Sequence, residues 1–217
     1  ILVESEPSDE RINRLQQDRF PFVLIGNAGG NPDLLATDND NTVAAEIATK
    51  HLFEAGYRRP AMLAGPQGLT VTQDRVAGYQ CAMDRAGLAP FVRHSGFGMD
   101  AARETADKLF AEGGDFDSMV VFDDFMAMGV LQAARKHQIS VPKQLGVVSF
   151  NNSMLCGIVD GGLSSVNLQI DKMVRWSVDR LLEVIEEKPM QGANQVTFPC
   201  ELVARGTTTR APLVEVL

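Results

Sequence analysis

Residues 119–136 read Met-Val-Val-Phe-Asp-Asp-Phe-Met-Ala-Met-Gly-Val-Leu-Gln-Ala-Ala-Arg-Lys. A short apolar run, Met119 to Phe122, stops at two carboxylates, and an amphipathic run from Phe125 to Lys136 follows. The first pattern predicts a buried strand and the second a helix, which puts Asp123 and Asp124 at the carboxyl end of the strand. The alternation recurs along the chain. Further strand candidates are Ile1 to Val3, Phe22 to Ile25, Ala61 to Ala64, Gly146 to Phe150, Ser164 to Asn167 and Gln195 to Phe198, with a closing apolar stretch at Leu202 to Arg205. Further helix candidates are Thr42 to Ala55, capped by Asn41 or Thr42 and stopped by Gly56, then Arg75 to Ala86, Ala101 to Ala111 and Asp171 to Glu186. In the last, Met173, Trp176, Val178, Leu181, Leu182 and Ile185 make a broad apolar face that is expected to be core. Short strands alternating with longer amphipathic helices are the mark of an α/β fold with a mostly parallel sheet.

Composition narrows the function. The 217 residues are 45% hydrophobic, enough to fill a core, which excludes general disorder and a disulfide-stapled miniprotein. The 20 basic residues against 28 acidic ones give a net charge of -8, so this stretch by itself is not expected to bind a phosphate backbone. Cys81, Cys156 and Cys200 are odd in number and widely spaced, which fits a reducing, cytoplasmic compartment. No run approaches the ~20 apolar residues of a membrane span, and Ile1-Leu2-Val3 is too short for a signal-peptide core. The chain opens without methionine inside an apolar run, and an upstream segment is expected.

A catalytic apparatus is hard to assemble from these residues. There is no G-x-S-x-G elbow and no H-E-x-x-H pair, and His51, His94 and His137 sit in unrelated settings, with His51 read as a packing or capping residue of a helix. The glycine-rich loop Asn27 to Asp33 lacks the spacing and the lysine of a phosphate cradle and reads as a plain turn. Asp123 and Asp124 are open to three roles: hydrogen bonding to a ligand, capping the helix that follows, or acid–base work. No enzyme activity, metal or cofactor is expected. If the strands are parallel neighbours, Arg75, Asp123 and Asn151 meet at one carboxyl edge, with Thr72 and Gln73 on the loop before Arg75 and Phe97, Phe122 and Phe150 as aromatic neighbours. Guanidinium, carboxylate and amide groups beside aromatics are an inventory for holding a small, hydroxyl-rich molecule.

Eight short motifs stand in one order: H-L-x-x-x-G-Y (His51 to Tyr57), L-A-G-P (Leu63 to Pro66), R-x-x-G-Y (Arg75 to Tyr79), D-D-x-x-A-x-G (Asp123 to Gly129), V-P (Val141-Pro142), G-V-V-S-F-N-N (Gly146 to Asn152), L-S-S-V (Leu163 to Val166) and L-V-A-R-G-T-T (Leu202 to Thr208). Each is weak alone. Together, from about Phe20 to Thr208, they resemble the lactose-repressor (LacI/GalR) family of bacterial transcription regulators.

The resemblance implies a periplasmic-binding-protein-like core of two Rossmann-like lobes joined by three crossovers, near Asn39 to Asn41, near Asn167 and just before Cys200. It implies an N-terminal lobe of residues 1–38 and 168–198, incomplete in this chain, and a C-terminal lobe of residues 39–167 and 199–217, with a helix-turn-helix head upstream. The function implied is the effector-binding and dimerisation core of a cytoplasmic regulator, a repressor by type, that senses a carbohydrate and acts as a homodimer on operator DNA. A periplasmic sugar-binding protein of an uptake system is the alternative. The effector residues carried over are Arg75, Asp123, Asn151 and the stacking aromatic Phe97, with Gln73 and Thr72 on the same loop. Residue alternatives stay open: Arg75 paired with Asp74, Phe97 in the core, Asn151 capping the short helix after it. Asn151-Asn152 stands where the family usually has two aspartates, which favours a neutral hydroxylated ligand over a cationic one. The run Phe150 to Ser153 is similar to maltose-type members and implies an α-glucoside or related sugar. Gly161-Gly162 stands where the family usually has a proline and implies a less rigid loop near the dimer surface.

Overall fold

The computed structural model of the chain describes residues 1–3, 6, 9–189 and 192–209, so the end of the expected C-terminal lobe, residues 210–217, lies outside the described residues. Two sheets form. The smaller is parallel throughout, in the order β1 (Leu2–Val3), β2 (Leu24–Ile25), β3 (Ala36–Asn39), β9 (Gln195–Phe198). The larger runs β10 (Glu201–Val203), β8 (Ser164–Asn167), β7 (Gly146–Phe150), β6 (Ser118–Val121), β4 (Pro60–Ala64), β5 (Val92–His94), with only β10 antiparallel. Every residue of β4, β6 and β7 is buried, as expected of parallel strands covered on both faces. Helices α2 (Asn41–Glu54) and α3 (Thr70–Arg85) cover one face, and α4 (Met99–Ala111) and α5 (Asp124–Lys136) the other.

The chain passes between the sheets three times, after β3, after β8 and after β9. One side chain ties these passages together. The buried Asn39 amide donates to the carbonyl of Leu168 at 2.8 Å and to that of Phe198 at 3.1 Å, so the first crossover is hydrogen-bonded to the second and the third. With its donors spent on buried carbonyls, Asn39 fixes where the two sheets meet.

Several expectations change on inspection. The cap of α2 is Asp40, whose carboxylate accepts the Val43 amide at 2.9 Å, and not Asn41 or Thr42. Helix α3 begins at Thr70, more than a turn before Arg75, which places Thr72 and Gln73 on the helix instead of a loop. The outer face of α6 (Ile170–Ile185) is not core. Met173 and Ser177 are its buried residues, next to β2 and β3, while Val178, Leu182 and Ile185 are 40%, 47% and 57% exposed. A sheet this narrow covers one line of the helix and leaves the rest of the apolar strip open. The Gly161-Gly162 loop is tied to the closing segment, its carbonyls accepting the amides of Gly206 at 2.7 Å and Thr207 at 3.1 Å.

Candidate functional site

Strands β6 and β7 of the larger sheet and β1, β2 and β3 of the smaller one end toward a common cleft of about 340 Å³. Thr70, Val71, Arg75, Phe122, Asp123 and Asn151 line it on one side. Val3, Ile25, Asn27, Asp38, Asn39 and Asn41 line it on the other, with Leu168, Ile170, Met173 and Val174 completing an apolar wall.

Arg75 is the buried cation of the site, 4% exposed. Its Nε donates to Asn41 Oδ1 at 3.0 Å and its Nη1 to the Phe122 carbonyl at 2.6 Å. The guanidinium carbon lies 4.8 Å from the Phe122 ring centroid and 4.4 Å from that of Phe150, a cation–π sandwich that only a planar side chain fills. Burial lowers its pKa to about 10, and the charges of Asp123 and Asp38 act against that shift, so the group stays cationic at neutral pH. No ion pair with Asp74 forms among the described residues. From Asn41 the network continues, because its amide donates to Asp38 Oδ1 at 3.2 Å. A chain of contacts thus runs from α3 through the first crossover to the end of β3.

Asp123 lines the cleft and also caps α5, accepting the Met126 amide at 2.6 Å, so of its three possible roles the capping one is the one observed. Asp124 has a different task. It is fully buried and accepts Ser149 Oγ at 2.5 Å, Ser165 Oγ at 2.7 Å and the Ser153 amide at 2.6 Å, which holds the turn after β7. Asn151 lines the cleft from that turn; the N-cap position of the short 3-10 helix Met154–Gly157 is Ser153, whose side chain makes no capping hydrogen bond, and not Asn151. Phe97, Gln73 and Thr72 are not brought to the cleft wall. Phe97 is 46% exposed and tilts against Phe122 at 5.9 Å, Gln73 points out and donates to the Gln67 carbonyl at 3.3 Å, and Thr72 is buried inside α3 packing.

The sequence reading missed the contribution of the smaller sheet. Asn27 belongs to the loop read as a plain turn, and it does accept the Gly29 amide at 2.8 Å as a turn residue would. It also lines the cleft, and it stands with Asp74 of α3 on the wall of an adjoining pocket where the two sheets meet. Asp38 was hidden in the Asp-Asn-Asp-Asn run at positions 38–41, where polar residues alone gave no hint of a strand end.

Burial raises the Asp38 pKa from 3.8 to about 6, and burial also raises those of Asp74 and Asp123. The Asp38 carboxyl is therefore more easily ionised in the unfolded chain than in the folded one. Its favourable contribution is complete below about pH 4 and is lost as the pH rises through about 6, on the order of 2 kcal/mol once its partial exposure is allowed for. Asp38→Asn is expected to flatten this part of the pH–stability curve and to raise stability at pH 7, measured by urea unfolding at pH 4, 6 and 7.

Among the described residues, no group of three or more His, Cys, Asp or Glu side chains is placed to hold a metal ion, and no helix is long and apolar enough to cross a membrane. The cleft offers one cation faced by two carboxylates, several amides and an apolar wall. That arrangement can hold hydroxyl groups as donors and acceptors at once.

Comparison with known proteins gives a consistent set of relatives. The family described as "Periplasmic binding protein-like domain" matches residues 49–208. The HTH-type transcriptional regulator MalR of Streptomyces coelicolor is 30% identical over 210 residues, which are 94% of this chain and 60% of that protein. Among solved structures, a transcriptional regulator described as LacI from Bacillus cereus subsp. cytotoxis is 30% identical with a TM-score of 0.87, covering 95% of this chain and 74% of the other. A transcriptional regulator CelR solved as a cellobiose complex is 25% identical with a TM-score of 0.84, covering 95% and 64%. The chain spans about 60% of the length of the curated relatives it matches.

Proposed function

Because this chain belongs to the LacI family and has its periplasmic-binding-protein-like fold, we propose that it is the effector-sensing core of a bacterial transcription regulator whose ligand is a small, neutral carbohydrate. The observation that carries this reading is the cleft itself, which draws polar groups from both sheets onto one space: Arg75, Asp123 and Asn151 from the larger, Asn27 and Asp38 from the smaller. A ligand that touches both walls favours the arrangement in which they are close, and it shifts that equilibrium only by its difference in affinity for the two arrangements. The lobe boundaries that fit are residues 1–38 with 168–198 and residues 39–167 with 199–217. In the full-length protein a helix-turn-helix head, as in the regulators named above, reads the operator as a cytoplasmic homodimer, and the head supplies the positive charge that this stretch lacks. Binding without turnover is the chemistry of the core. The relatives are regulators, which favours this reading over an uptake protein.

Among the described residues Arg75 is the only Lys or Arg lining the cleft, and Asp38 and Asp123 already face it. Phosphate esters therefore lack a free partner, and neutral sugars do not need one. In a thermal-shift panel of glucose, ribose, maltose, cellobiose and glucose 6-phosphate, at least one neutral sugar is expected to raise the melting temperature. At a hundred times its Kd the gain is about 2.7 kcal/mol. A response to the phosphate ester alone would overturn the ligand class.

A further inference from the structure

The turn after β7 holds a conformation that residues with side chains seldom adopt, asparagine more readily than most. Asn151 has φ 98° and Asn152 has φ 51°, two consecutive residues with side chains in the positive-φ region. Such a turn persists only when its surroundings over-determine it. Two anchors do so. On one side the Asp124 carboxylate accepts the Ser153 amide at 2.6 Å. On the other, Arg205 Nη2 donates to Asn152 Oδ1 at 2.7 Å while its Nη1 donates to the Leu163 carbonyl at 2.8 Å.

Arg205 reaches Asn152 by crossing the Gly161-Gly162 loop. A Cβ on Gly162 would stand 2.5 Å from Arg205 Cδ, so the glycine leaves the channel in which the arginine stem lies. The backbone of Arg205 is fixed as well, its amide donating to Ser164 Oγ at 2.8 Å. The guanidinium is thus delivered to Asn152 by a pinned backbone, with Asn151 on the cleft side of the same turn. Resting on the reading of the cleft as a ligand site, we propose that Arg205, which lines no part of the cleft, is a positioning residue: through Asn152 it holds the Asn151 side chain against the ligand. Lysine at this position retains the charge and enough reach for the Asn152 contact but loses the second donor to Leu163.

The test uses Arg205→Gln and Arg205→Lys in the full chain, with two readouts. Amide hydrogen exchange without ligand should rise by about tenfold or more in the segment 151–157 of Arg205→Gln, the loss of one charge-assisted contact, and stay unchanged in β4 and α2. Calorimetry with maltose should show affinity about tenfold lower for Arg205→Gln and within about threefold of the unaltered chain for Arg205→Lys. Unchanged exchange at 151–157, or a rise spread evenly over the larger sheet, would overturn the proposal, the second by assigning Arg205 to general stability. If the unaltered chain does not bind maltose, it is the α-glucoside expectation that fails. The exchange readout still decides the role of Arg205.

Discussion

Replacing Gly78 by alanine is expected to destabilise the chain by about 3 kcal/mol, a change of opposite sign to the one helix propensity gives. Gly78 lies inside α3, where an exposed glycine-to-alanine change would stabilise by about 1 kcal/mol. Here a Cβ would sit 2.0 Å from the Thr42 carbonyl oxygen and 2.8 Å from its carbon, both backbone atoms of the first turn of α2. Backbone cannot rotate away as a side chain can, so the helices must separate or tilt. The consequence reaches the cleft, because Arg75 stands one turn earlier on α3 and bonds Asn41, the residue before Thr42. Gly78→Ala is therefore expected to weaken ligand binding as well as stability. Urea unfolding gives the first quantity and calorimetry the second, and a variant as stable as the unaltered chain would contradict the close packing of α2 on α3.

Arg75→Ala is expected to lower ligand affinity by about 1.5 to 3 kcal/mol, which is about 10- to 150-fold, as for a lost charge-assisted hydrogen bond. Two effects add. The ligand loses a cationic donor, and Asp38 and Asp123 lose the positive charge that opposes the upward shift burial gives them. The Phe122 carbonyl and Asn41 Oδ1 also lose their donor, so a fall in stability of about 1 to 3 kcal/mol accompanies the change. Arg75→Lys separates these contributions. It keeps the charge but cannot reproduce a planar group stacked between Phe122 and Phe150 while bonding both acceptors, and its affinity is expected to fall between those of the other two chains. Calorimetric titration with a sugar that shifts the melting temperature checks the series. Equal affinity for all three chains would remove Arg75 from the ligand site.

The parts of this fold that could be read in the sequence are those where one physical pattern dominates. Strand β7 is a wholly buried run, apolar but for Ser149, and its expected limits, Gly146 to Phe150, are those observed. Strand β3, in contrast, is Ala-Thr-Asp-Asn, and its position comes from pairing with β2 and β9 on either side, which a local pattern cannot reveal. Helix α1 (Glu10–Gln17) has no buried residue, and its apolar face is only Ile12 and Leu15, too short a stripe to mark a helix. For the site, Asp123 and Asn151 could be placed because each closely follows a strand of the larger sheet, and Arg75 because it stands early in the helix that follows β4. Asn27 and Asp38 could not, since their edge belongs to a sheet with short strands. Phe97 is expected beside the site as an aromatic neighbour and, by the resemblance, as its stacking group; its ring sits beside Phe122 and half in solvent, away from the cleft wall.

The central claim, that one small ligand is gripped between the two sheets, is tested most directly by amide hydrogen exchange of the chain with and without the sugar that gives the largest thermal shift. Slowed exchange is expected at both edges together, in the segment of Gly26 and Asn27 and in those of Thr70 to Arg75 and Asn151 to Asn152. Protection confined to one sheet, or found only away from these segments, would contradict it.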